Sequence, residues 1–142
     1  MNQAERWAQI VALDEELLKG GIILSEWCSF TIREADVAFA SGAHPASILT
    51  VVSGIETYMR SEYSVTGKEP LAELINRSGI DANLKDDLHD LRRSRNKWVH
   101  VDEPWDDERL LERTEETEYE LERMALFAAR TLRRTIYENP WV

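Results

Sequence analysis

The stretch LHDLRRSRNKWVH, residues 88–100, decides how the rest of the chain is arranged. An α-helix turns by about 100° per residue, so Leu84, Leu88 and Leu91 form one apolar line along this segment. Continued by whole turns, that line reaches Arg95. The pattern predicts a helix that points a permanent cation into a line otherwise made of core side chains.

Further polar side chains lie beside this arginine. Asn96 and His100 are one helical turn apart and share a neighbouring face of the predicted helix. An ordinary structural account is available for all three residues. Arg95 would form a buried ion pair with a carboxylate such as Glu56, Asn96 would bond a backbone group, and His100 would cap the helix C-terminus. Stability alone rarely requires a buried guanidinium, because a protein in which apolar side chains replace a buried ion pair is often no less stable.

Composition limits the class of protein. A chain of 142 residues suits one domain, residues 1–142, with a core large enough to be stable without disulfides. Its formal charge of -10 disfavours long-range attraction to nucleic acid, so any RNA contact has to be local. The single Cys28 indicates a reducing compartment and a core position. No leader or apolar run of membrane-spanning length is present, and we expect a cytoplasmic protein without membrane contact.

Helical periodicity dominates the chain, and the prediction is an all-α antiparallel bundle of four to six helices. An N-terminal helix over residues 4–19 stops at a glycine pair, and the core bundle occupies residues 22–137. Its predicted helices span residues 22–40, 45–63, a short segment after Pro70, 82–99 with Asp81 as N-cap, and 106–137.

The spacing of apolar residues predicts the buried side of each helix. In the second helix the expected buried stripe is Ile23, Trp27, Phe30 and Val37. The third helix is expected to bury Ile48, Val52, Ile55 and Met59, and the last helix Leu110, Leu121, Met124 or Ala125, Ala128 and Leu132.

Several classes of site are not supported by the sequence. There is no glycine-rich phosphate loop, no GxSxG elbow and no HExxH motif. Asp86, Asp87, His89 and Asp90 scatter around the helix, so we assign no metal and no cofactor. The acidic loop after His100 is interpreted as a solvated segment, one carboxylate of which could pair with the imidazole. Trp98 and Trp105 could stack on bases, but packing is the preferred interpretation.

The pattern Arg95-Asn96-x3-His100 near the end of a helix resembles the HEPN family (higher eukaryotes and prokaryotes nucleotide-binding). The resemblance extends over residues 22–137. It implies a homodimer in which two motif helices face each other, and a metal-independent endoribonuclease site made by Arg95, Asn96 and His100 from both subunits. Glu56 corresponds less securely to an acidic residue of the preceding helix. The candidate RNA-binding residues are Arg92, Arg93 and Lys97.

The residue types suit this chemistry. RNA cleavage without a metal needs an acid and a base that work near neutral pH, and imidazole has an ordinary pKa of about 6.5. It also needs positive charge at the reacting phosphate, which a guanidinium supplies through a rigid fork of donors. The resemblance thus implies cleavage to a 2′,3′-cyclic phosphate, in a toxin–antitoxin or defence setting.

A second interpretation keeps the fold and omits the chemistry. HEPN-like domains also act as interaction or nucleotide-binding modules, for example beside a nucleotidyltransferase or an antitoxin. The charge of -10 favours this alternative, while the Arg95, Asn96 and His100 trio favours the nuclease. We expect the nuclease and retain the module as its alternative.

Overall fold

The computed structural model describes residues 1–140, which form seven α-helices and no strand. In chain order they are α1 (Gln3–Leu17), α2 (Glu26–Ala40), α3 (His44–Tyr63), α4 (Leu71–Arg77), α5 (Ala82–Val99), α6 (Glu108–Leu111) and α7 (Thr114–Ile136). The predicted all-α bundle is confirmed, and α6, a single turn, is the helix beyond the expected number. Within residues 1–140, no helix combines the length and apolar character needed to cross a membrane.

The bundle is built around α3, which packs against α2, α4, α5 and α7. The residues predicted to be its buried side are all in the core: Ile48, Val52, Ile55 and Met59. Helix α7 also contacts both α2 and α5, whereas α2 and α5 have no close backbone contact with each other among the described residues. The motif helix α5 and helix α2 are therefore separated by α3 and α7.

A buried arginine joins three helices. Arg133 of α7 donates from Nε to Asp14 of α1 at 2.7 Å and from a terminal nitrogen to Asp36 of α2 at 2.8 Å. Its side chain is 3% exposed. Desolvation raises the pKa of Asp36, and the neighbouring guanidinium of Arg133 opposes that rise. Because both carboxylates are bound by one cation, the N-terminal helices are fixed to α7.

Helix α2 presents the side opposite to the one predicted. The expected buried stripe is exposed to solvent, with relative exposures of 78% for Ile23, 74% for Trp27, 51% for Phe30 and 45% for Val37. The prediction of a buried stripe at these four residues is wrong, and the helix begins at Glu26 rather than at residue 22. Cys28, by contrast, is buried as predicted.

The buried side of α2 is formed by Cys28, Ala35, Phe39 and Ala40, of which only Phe39 is large. Ala35 is fully buried, and its carbonyl accepts a hydrogen bond from the hydroxyl of Ser47 at 3.0 Å. A Cβ atom placed on Gly54 of α3 would lie 3.3 Å from Cγ2 of Thr31. These contacts at Ala35 and Gly54 bring the middle of α2 close against α3.

The predicted helix over residues 106–137 is interrupted. After the short α6 the chain turns, and the hydroxyls of Thr114 and Thr117 bond carbonyls of α6 at 3.0 and 2.9 Å. Leu110 is 53% exposed, so its predicted place in the buried stripe is wrong. The rest of that stripe is confirmed as buried: Leu121, Ala125, Ala128 and Leu132.

A compact turn leads into α4. The buried carboxylate of Glu69 accepts hydrogen bonds from the hydroxyls of Thr66 and Ser64 at 2.6 and 2.8 Å and from the amide of Val65 at 2.7 Å. It also forms an ion pair with Arg77. These bonds, above all that from Thr66, hold the pKa of Glu69 far below its usual range. The turn thereby fixes the start of α4, which packs against α5.

Candidate functional site

The motif helix α5 forms where its sequence predicts it, from Ala82 to Val99. The carboxylate of Asp81 caps its first turn by accepting from the amides at positions 83 and 84, at 2.9 and 3.2 Å. Leu84, Leu88 and Leu91 are buried against the bundle. The following turns carry the polar motif, and they are less deeply buried.

Arg95 is half-buried, as expected for the continuation of the leucine line. Its Nε donates a hydrogen bond of 2.9 Å to Oδ1 of Asn96. Within residues 1–140, no carboxylate lies within ion-pairing distance of its guanidinium. The structural account with a buried ion pair to Glu56 is therefore wrong, because Glu56 pairs with Arg60 of its own helix at 2.8 Å.

The predicted bond of Asn96 to the backbone is also replaced by this contact. The Asn96 side chain accepts from the Arg95 guanidinium, so it orients the cation and leaves the charge unneutralised. The remaining N–H donors of Arg95 have no partner within the described chain. This arrangement suits the binding of an external anion such as a phosphate.

His100 lies at the C-cap of α5 and is exposed to solvent. Its backbone amide donates to the carbonyl of Asn96 at 2.9 Å, which fixes the residue at the helix end. Its imidazole has no hydrogen-bond or carboxylate partner within residues 1–140. The imidazole therefore does not cap the helix C-terminus, as the ordinary structural account had expected. It is exposed and accessible to a ligand.

The acidic loop does not pair with His100 in the structure. Asp107 instead caps α6 and binds the guanidinium of Arg109 at 2.7 Å. The bond from Arg109 lowers the pKa of Asp107. Trp105 in the same loop is 84% exposed, so its predicted packing is wrong. Trp98, in contrast, packs partly buried against the core as predicted.

The basic residues of α5 differ in their availability. Arg93 is exposed and pairs with Asp90 at 3.1 Å, while Lys97 is exposed. Arg92 is half-buried, and its Nε is buried without a hydrogen-bond partner in the described chain. Together with Arg95, these residues place four basic side chains on the C-terminal half of one helix. They form the basic patch expected from the sequence.

Glu56 does not belong to the same site. The shallow groove beside it is lined only by residues of α3, namely Ser53, Glu56, Thr57, Arg60 and Ser61. No residue of α5 lines this groove. The structure therefore brings together Arg95, Asn96 and His100 with the basic patch, and leaves Glu56 out of that group.

The acidic residues and His89 near the start of α5 are each engaged separately. Asp87 pairs with Arg134 of α7, and His89 contacts the amide side chain of Asn76 at 2.8 Å. Among residues 1–140, no three His, Cys, Asp or Glu side chains are grouped so that they could hold a metal ion. These residues connect α5 to α4 and α7.

Helical periodicity did not predict a group of exposed apolar side chains at and beyond the end of the motif. They are Val99, Val101, Trp105, Leu110 and Leu111, and each exposes more than half of its surface. Exposed apolar groups at this density indicate a surface used for contact. One signal was present, because a polar and proline-broken loop gives Trp105 nothing to pack against.

The largest pKa shifts lie outside this group. Desolvation raises the pKa of Tyr58 and of Tyr63, whose hydroxyls both donate to the carboxylate of Glu138. Desolvation likewise raises the pKa of Glu138 and lowers that of the buried His44. Each shift follows from packing at the junction of α3 and α7, so these residues do not define a second reactive site.

The arrangement therefore offers a guanidinium oriented by Asn96, with the exposed His100 at the C-terminal end of the same helix. Comparison with protein-family models, with curated proteins and with solved structures gave no match.

Proposed function

We propose that this protein is a HEPN-like, metal-independent endoribonuclease that acts as a homodimer. The observation that carries the proposal is the half-buried guanidinium of Arg95, oriented by Asn96 and without a counter-ion in the described chain. Packing alone favours an apolar side chain at this place, and a structural role would require a partner carboxylate. An anionic ligand accounts for the charge.

The chemistry follows from the groups at the site. His100 removes the proton of a ribose 2′-hydroxyl, and the 2′-oxygen attacks the adjacent phosphorus. The bond from phosphorus to the 5′-oxygen breaks, and an imidazolium protonates that oxygen as it leaves. Arg95 stabilises the charge that develops on the phosphate oxygens. The products are a 2′,3′-cyclic phosphate and a 5′-hydroxyl.

Two imidazoles are needed for this reaction, and each chain supplies one at the motif. We therefore place His100 of a second subunit opposite the first, with the two α5 helices related by a two-fold axis. The exposed apolar residues on either side of His100, from Val99 to Leu111, support a subunit contact on this side. The basic patch of Arg92, Arg93 and Lys97 would hold the flanking RNA backbone.

The test is cleavage of unstructured and structured RNA by the purified chain in the presence of a chelator. We expect cyclic-phosphate and 5′-hydroxyl ends from the wild type, and a loss of at least a hundredfold in rate for His100→Ala and for Arg95→Ala. Arg113→Ala is the matched control, since Arg113 is exposed in the turn between α6 and α7, away from α5 in the sequence. Intact RNA with the wild type, or equal cleavage by His100→Ala, contradicts the proposal.

The second candidate function is a non-catalytic HEPN interaction or nucleotide-binding module with an antitoxin or nucleotidyltransferase partner. The charge of -10 and the exposed apolar residues favour it. Expression in the cytoplasm of a bacterial host separates the two functions. Growth arrest that Arg95→Ala relieves supports a toxin-like or defence nuclease. Normal growth with an inactive purified chain supports the module.

A further inference from the structure

The outer side of α2 carries a line of large apolar side chains that nothing in residues 1–140 covers. Ile23 lies just before the helix, and Trp27, Phe30 and Val37 follow on it at steps of three and seven residues, which fits a helix–helix seam. In chain order the four side chains are exposed by 78, 74, 51 and 45%. Large exposed side chains in such a line are typical of an interface.

Charges of both signs border this line. Glu26 precedes Trp27, and Arg33 lies near the middle of the helix with its side chain 71% exposed. Arg33 also contacts Glu34 at 3.3 Å and stands over the ring of Phe30 at 5.5 Å. Glu34, the one polar residue in the apolar line, is therefore neutralised by its neighbour.

We infer that this surface binds a second copy of the same chain, with the two α2 helices antiparallel. The charges of Glu26 and Arg33 support this pairing, because they are complementary between two copies of the same helix. If Trp27 of one copy faces Phe30 of the other, the numbers of any two opposing residues in the antiparallel pair add up to 57. Glu26 of one copy then lies opposite position 31 of the other. That is two residues, or about 3 Å of helix rise, from Arg33 of the second copy. In this register the Trp27–Phe30 contact and the Glu26–Arg33 pair each occur twice, because the two copies are related by a two-fold axis.

A groove beside the line gives the aromatic side chains of the second copy a place to bind. It lies between α2 and α3, has a volume of about 520 Å³, and is lined by Trp27, Phe30, Leu49, Thr50 and Thr57 among others. An offset aromatic contact in such a groove stabilises the pair beyond the burial of apolar area alone. The groove therefore enlarges a contact that would otherwise consist of one helix.

This contact is independent of catalysis. Helices α2 and α5 are separated by α3 and α7, so a second copy on α2 leaves Arg95 and His100 accessible. An interface of one helix and a groove lies at the small end of protein interfaces, so we expect dissociation on the order of micromolar concentrations.

Sedimentation or light scattering of the purified full chain at several concentrations tests the inference. We expect Trp27→Glu to halve the assembled mass that the wild type shows at the same concentration. Tyr119→Glu, an exposed aromatic on α7, is the matched control and should retain the wild-type mass. Because Trp27 is exposed, circular dichroism should show a folded variant. A wild type that stays monomeric at several hundred micromolar, or an unchanged mass for Trp27→Glu, overturns the inference.

Charge exchange tests the antiparallel register. Glu26→Arg and Arg33→Glu each place like charges together, and we expect each to weaken self-association about tenfold. The double variant restores opposite charges across the pair and should regain most of the wild-type affinity. A double variant that associates no better than either single one overturns the antiparallel pairing. RNA cleavage by Trp27→Glu at its wild-type rate would separate this contact from the proposed nuclease dimer.

Discussion

Two arginines of this chain differ in whether the protein supplies a counter-ion. Arg133 is buried between Asp14 and Asp36, at 2.7 and 2.8 Å from their oxygens. Arg95 is half-buried and bonds only a neutral amide, that of Asn96. The first arginine serves the fold, because its charge is balanced within the chain. The second has no such balance, which is the reason for assigning it to ligand binding.

This contrast predicts different costs for the same substitution. Arg133→Met should lower the free energy of unfolding by about 3–5 kcal/mol, because it leaves the mostly buried carboxylate of Asp36 without its cation and also breaks the ion pair with Asp14. Arg95→Met should change it by less than about 1 kcal/mol, because no ion pair is lost. Urea denaturation of both variants measures the difference. A loss for Arg95→Met as large as that for Arg133→Met would indicate a structural ion pair and remove the basis for the proposed site.

The sequence predicted which residues lie together at the end of α5, but it did not predict the hydrogen bond between them. Spacing placed Asn96 and His100 beside Arg95 at the end of one helix, which the structure shows. It did not predict the bond between Arg95 and Asn96, since adjacent helical residues point in different directions. The bond forms because the arginine side chain is long enough to fold back toward its neighbour. The ion pair with Glu56 failed because Arg60, one turn away on the same helix, is closer.

At the scale of the helices, the sequence predicted where elements lie better than which side they bury. The bounds of α5 follow from the cap at Asp81, a local signal that needs no tertiary information. For α2, periodicity identified Trp27 and Phe30 as one line but could not show that this line is outside. That choice depends on tertiary packing, in which Cys28, Ala35 and Phe39 of α2 face α3 instead. The interruption between α6 and α7 depends on threonine bonds that periodicity does not detect.

The turn before α4 leads to a prediction about pH. The pKa of Glu69 is lowered in the folded chain, so the folded state binds this proton less readily than the unfolded state. Glu69 therefore contributes stability above its ordinary pKa of 4.5, and this contribution is lost as the pH falls below that value. Glu69→Gln should be less stable than the wild type at pH 7, and the difference should shrink toward pH 3.

Urea midpoints at a series of pH values measure this effect. Glu73→Gln is the control, because Glu73 is more exposed and shares with Glu69 the ion pair to Arg77. A constant difference between Glu69→Gln and the wild type from pH 7 to pH 3 would show that the turn does not depend on this carboxylate.

At the scale of the whole molecule, a charge of -10 disfavours attraction to RNA elsewhere, so the proposed RNA contact is confined to the basic half of α5. A contact with about three phosphates predicts that the logarithm of the binding constant falls with the logarithm of salt concentration with a slope of about -2. Fluorescence anisotropy of a labelled RNA with the His100→Ala variant measures binding without cleavage. Arg92→Ala should reduce the slope by about 0.7. Binding without any salt dependence would contradict an RNA contact at this patch.

The close approach at Gly54 has a consequence for how the two sides of the molecule can vary. A methyl group there would meet Thr31 at 3.3 Å, so α2 would have to move outward by a few tenths of an ångström. Trp27 and Phe30 would be displaced with it, whereas α5, which does not touch α2, has no reason to follow. A single interior carbon would thus shift the proposed surface for a second copy while leaving the proposed site on α5 in place, so each can be altered by mutation without the other.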